Sequence, residues 1–203
     1  MGILAEISAA TPEWLTEEMP PGYRNRIEEI ARLTKELQAM WPFGRLLWAT
    51  GSQLSDTVRD VFAALKLEVE SITSGDTSFL AVRLEGRRRL LVYVSPSRDV
   101  VEKKSADVAA VFRMLHECAD ENDRGILVIN PHGIMPPTAR PEGLTPDALA
   151  IVKRLGVNVL SGPSAFQLWT LVTHDPERAS RFIELLHEQD GGMFTVLPER
   201  RPD

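Results

Sequence analysis

The run GILVIN (125–130) is short and continuously apolar, the pattern of a strand buried on both faces of a sheet. Such a strand needs helices above and below it, so the chain is expected to form an α/β layer structure. The flanking segments supply them. KSADVAAVFRMLHECADE (about 104–121) reads as a helix with Val108, Val111, Phe112, Leu115 and Cys118 on one face. PDALAIVKRLG follows Thr145 as N-cap, with Pro146 at its first position. VNVLSG is a further strand, and segments starting at Ser164 and Pro176 give two closing helices.

Upstream, three β-rich runs lie at 67–73, 78–84 and 89–95, the last two joined by the hairpin-length EGRRR. LSDTVRDVFAAL before them is helical, with Ser52 expected to cap it and Leu54, Val58, Val61, Phe62 and Leu65 facing inward. Earlier still, YRNRIEEIARLTKELQAMW spaces Tyr23, Ile27, Ile30, Leu33, Leu37 and Met40 along one helical stripe, with Glu28/Arg32 and Arg32/Glu36 pairs outside. That stripe either packs on its own domain or serves as a homodimerising arm over residues 23–41. The expected division is an irregular leader at 1–22, an accessory helix at 23–41, an α/β domain at 46–194 and a tail at 195–203.

Composition narrows the function classes. The 23 Lys and Arg against 29 Asp and Glu give a net charge of −6, which excludes a uniformly basic nucleic-acid coat. A single cysteine, Cys118, excludes an intrachain disulfide and a multi-cysteine zinc site. No run approaches the roughly 18 apolar residues of a membrane span, and the N-terminus lacks a secretory signal, so the expectation is a cytoplasmic protein without a membrane partner. Glu6 stands where a myristoylation motif wants Ser or Thr. GxxxxGK[ST], GxSxG and GxGxxG are all missing.

Taken together, LLWATGSQLSDTVRDVFAALKLEVESI and GILVINPHGIMPPTARPEGLTPDALAIVKRLGVNVLSGPSAFQLW resemble a widespread prokaryotic group of PD-(D/E)XK nuclease-like proteins, which have the restriction-endonuclease fold. The resemblance covers about residues 46–194. It implies a mixed-sheet core of order αβββαβ with a C-terminal αβαα extension. In that family an acid opening the second strand and a Glu-x-Lys on the third converge on a divalent metal, and the first helix often adds a Glu. The metal would polarise the phosphoryl oxygen and activate water.

Residue by residue, the opening acid falls on Asp76, the Glu-x-Lys on Tyr93 and Ser95, and the helix Glu on Ser55, beside Asp56. One carboxylate, a phenol and two hydroxyls are a poor Mg²⁺ cage. The expectation is therefore a vestigial cleft without metal or cofactor, in a binding or assembly module of prokaryotic DNA metabolism or defence. Two alternatives stand beside it. One is an active nuclease with a rearranged site, drawing on Asp76 with Asp56, Glu68 or Glu70, and on Lys103 or Lys104; only this one calls for Mg²⁺. The other is a dimeric protein-interaction scaffold. Arg83, Arg87, Arg88 and Arg89 form the strongest basic cluster and are the nucleic-acid-contact candidates, with a solvated turn tip as the plain alternative. His132 and Arg140 lie in the long Pro/Gly loop after GILVIN and are loop-contact candidates; His132 reads as a general base or a partner contact, with a loop-anchoring hydrogen bond as the plain alternative. His116, His174 and His187 lack a ligand-type neighbour, so no metal site is expected.

Overall fold

The computed structural model describes residues 18–196. Residues 1–17 of the expected leader and 197–203 of the expected tail lie outside the described residues. The chain divides into two units, Met1–Pro42 and Phe43–Asp203. In the first, α1 (Tyr23–Met40) carries the anticipated apolar stripe, and none of its residues is buried. Arg32 bonds Glu36 at 2.5 Å but takes Glu29, not Glu28, on its other side, while Glu28 pairs with Arg24 at 3.7 Å.

The second unit is an α/β structure with a mixed six-stranded sheet in the order β1-β2-β3-β4-β5-β6. After α2 (Gly51–Ala64) come β1 (Val69–Ser74), β2 (Thr77–Arg83) and β3 (Arg89–Val94), an antiparallel meander. α3 (Ala106–Cys118), β4 (Asp123–Ile129), α4 (Pro146–Arg154), β5 (Asn158–Ser161), α5 (Gly162–His174), α6 (Pro176–Glu188) and β6 (Gly192–Phe194) follow, and β3 to β6 run parallel. Among the described residues no helix is long and apolar enough to cross a membrane.

Strand alternation sorts the core into two layers. Leu80, Val82, Leu90, Val92, Ile126, Val128 and Leu160 face α2, α5 and α6. Their neighbours Phe79, Ala81, Leu91, Tyr93, Leu127, Ile129 and Val159 face α3 and α4. This is why Ile126 to Ile129 are apolar without a break: they serve both layers in turn.

Four local expectations are corrected. α2 has Thr50, not Ser52, as its N-cap; Gly51 adopts φ 62, which turns extended chain into helix ahead of the serine. α3 keeps Val108 and Val111 inward as expected but adds Asp107, Ala110 and Met114, while Phe112 is 56% exposed and Cys118 is only half-buried. Lys103 and Lys104 precede the N-cap Ser105 and do not begin the helix. The three-residue β6 is a strand that the sequence does not announce. It is too short for a period-2 signal and owes its conformation to parallel pairing with β5.

Candidate functional site

The positions implied by the nuclease resemblance divide between the β1–β2 turn and the two faces of the sheet. Asp76 lies in the exposed turn between β1 and β2, just before the first residue of β2. Tyr93 belongs to the layer under α3 and α4, whereas Ser55 sits half-buried on α2, which packs on the opposite face of the sheet.

Tyr93 is 6% exposed, and its hydroxyl donates to Asp107 Oδ1 at 3.2 Å, a buried bond. Burial, followed by the Asp107 charge, pushes the phenol's pKa above its ordinary value. Ser95 is 1% exposed; its N–H donates to Val128 O, and its Oγ accepts from the Ser97 N–H at 3.1 Å. Both side chains are consumed by packing and local bonding.

The residues of the rearranged alternative are spread as well. Glu70 accepts from Arg83 at 2.8 Å, and Glu68 pairs with the same guanidinium at 3.7 Å. Asp56 pairs with Arg59 along α2 at 3.6 Å. Lys103 and Lys104 line a groove of about 540 Å³ between α3 and α4, with Phe112, Arg113 and His116. Among the described residues no group of three His, Cys, Asp or Glu is placed to hold a metal ion. Of the other histidines, His116 stacks on Phe112, and His187 Nε2 meets Asn122 O at 2.9 Å.

The arginine cluster is largely occupied by the chain's own acids. Arg83 and Arg89 face each other across β2 and β3, a like-charge pair, and each turns to carboxylates on its own side. Arg89 bonds Asp123 at 2.6 Å and Asp120 at 3.0 Å, and that Asp123 bond raises its pKa first among the causes. Arg88 takes Glu184 with both terminal nitrogens, at 2.7 and 3.2 Å. Of these four arginines, Arg87, exposed at φ 66 in the turn, is the one with no ion pair among the described residues.

The long loop after β4 is better organised than its composition suggests. It is tied to the 95–105 connection by Val101 N–H to Gly143 O and Thr145 N–H to Val101 O, both at 3.0 Å. Arg140 staples it internally, donating to Asn130 Oδ1 and Met135 O, each at 2.9 Å, to Gly133 O at 3.5 Å, and to Leu47 O. Asn130, 1% exposed at the carboxyl end of β4, also donates to Ala49 O at 2.8 Å. Burial pulls the Arg140 pKa below its ordinary value.

His132 adopts φ 58, a left-handed conformation uncommon for a residue with a Cβ. Its Nε2 is buried with no hydrogen-bond partner among the described residues.

Sequence reasoning singled out Arg140 but missed its partner Asn130 and the neighbouring Ser161. The signal for Asn130 was present, since a polar residue closes an otherwise apolar strand immediately before a long loop. Asp107 was missed because an acid in a first helical turn reads as dipole complementarity and not as a core partner.

No family model, no curated protein and no solved structure matches this chain.

Proposed function

We propose that this chain is a non-catalytic binding or assembly module related to the PD-(D/E)XK nuclease-like proteins. One observation carries the reading. At the position where that family needs a metal-binding Glu, the chain has Tyr93, sealed in the core and bonded to Asp107. A phenol held neutral at neutral pH offers a metal neither charge nor an open lone pair. The element order from α2 to β4 supports the kinship, and the kinship suggests prokaryotic DNA metabolism or defence as the setting; fold alone does not assign a function.

The test is incubation of the full chain with single-stranded DNA, duplex DNA and RNA in Mg²⁺ or Mn²⁺. The reading expects intact substrates. Cleavage that disappears in Asp76→Ala would overturn it in favour of a rearranged nuclease.

Assembly has its own support. Ile30, Leu33, Leu37 and Met40 of α1 are all exposed, Leu37 by 67%, and together they form an apolar stripe on an 18-residue helix. As a homodimerising arm, this stripe would lose its partner in Leu37→Glu. Light scattering should then show the mass falling to that of one chain, and an unchanged mass removes the arm from the proposal.

A further inference from the structure

The connections on either side of β5 leave the sheet in opposite directions. β4 passes to β5 through α4, which packs on the Leu127/Ile129 face with Ala148 and Val152. β5 passes to β6 through α5 and α6, whose Ala165, Leu168, Ala179 and Ile183 pack on the Val128/Leu160 face. Where neighbouring parallel strands send their chains to opposite faces, the two loops part and leave a crevice at the strands' carboxyl ends. In open α/β sheets that crevice is where ligands bind.

A cavity of about 230 Å³ lies at this place, lined from β4 by Ile129, Asn130 and Pro131, and from the β5–α5 junction by Ser161 and Pro163. Its walls hold Pro137, Arg140, Pro141, Glu142, Gly143 and Met193. Gly162 lets the junction come this close: a Cβ there would stand 2.3 Å from Asn130 Oδ1 and from Leu46 O.

Charge distinguishes the crevice from an ordinary gap. Arg140 spends four of its five N–H donors on neutral acceptors, and no carboxylate pairs with it among the described residues. One Nη1 N–H and the whole positive charge are left. The other positive feature, the N-terminus of α5, is already capped, since Ser161 Oγ accepts from the Ser164 N–H at 3.2 Å. Glu142 stands exposed on the rim. A partly buried guanidinium without a counter-ion gains most from an anion, and the proline, isoleucine and methionine lining favours one with an apolar body.

We propose that the crevice between the carboxyl ends of β4 and β5 binds a small organic carboxylate, its charge held by Arg140 and its apolar body by the proline-rich wall. The volume is below the usual range for ligand pockets, about 300–1,000 Å³, and suits an acid of single-ring size. This deepens the binding reading above but rests on separate geometry, so a failed titration leaves the cleavage result standing, and the reverse.

Calorimetric titration of the full chain with benzoate, with neutral benzamide and with inorganic phosphate tests it. Benzoate should bind, with benzamide and phosphate each weaker by about tenfold or more. Arg140→Gln should weaken benzoate by about tenfold or more. Because Arg140 also staples the loop, Glu142→Gln provides a variant at an exposed position. Removing that like charge should tighten benzoate roughly twofold, and Glu142→Lys should tighten it further. Benzamide binding as well as benzoate, phosphate binding in its place, no binding at all, or Glu142 variants without effect would each overturn the proposal.

Discussion

Tyr93 and Arg140 both lie close to the ends of parallel strands, yet their surroundings make opposite use of a polar side chain. At Tyr93 the hydroxyl is folded into the layer beneath α3 and spent on Asp107. At Arg140 the guanidinium has bonding partners but, among the described residues, no neutralising one, beside an open cavity. A polar group sealed with its partner specifies packing, while a charged group satisfied in hydrogen bonds but not in charge remains available to a ligand. The difference follows from topology. α3 and α4 cover the same face continuously, whereas the connections after β4 and β5 diverge.

That contrast can be broken at either end. The largest expected effect is at the crevice: Gly162→Ala drives a Cβ into Asn130 Oδ1 and Leu46 O and should cost about 3 kcal/mol in urea unfolding. A variant as stable as the parent would mean that the close junction has slack. Asn130→Ala follows, removing the bond to Ala49 O and the acceptor for Arg140, at about 2–3 kcal/mol by the same measurement.

At the sealed end, Tyr93→Phe leaves the buried Asp107 without its donor and should cost about 1–2 kcal/mol. Its pH signature is specific. The folded-state pKa of Tyr93 is raised, so its contribution is fully present below the unfolded value of about 10 and is lost as pH rises through the folded one. Stability of the parent should therefore fall above about pH 10, and Tyr93→Phe should flatten that fall. The smallest effect belongs to the arginine turn. Arg88→Ala breaks a partly exposed pair with Glu184 and should cost at most about 1 kcal/mol.

Legibility in the sequence followed the same division. GILVIN disclosed a strand buried on both faces because Ile126 to Ile129 are all apolar, and Thr145 with Pro146 disclosed the start of α4, where the Thr145 side chain does accept from the Ala148 N–H. The faces of single residues were harder. Val108 and Val111 are buried as the stripe predicts, but Met114 and Ala110 are buried where Phe112 is expected, because the period fixes a stripe only to within a residue or so. Of the crevice, only Arg140 and its long loop were legible, and the cavity itself was not. It depends on which face each connection crosses, and neither α4 nor α5 declares that in its own residues.

The most direct test of this account is an amide chemical-shift map of the full chain titrated with benzoate. Shifts should concentrate at residues 129–131, 140–143 and 161–164, with residues 74–78 and 93–97 still. Shifts gathered around Asp76, Tyr93 and Ser95, with the crevice silent, would contradict it.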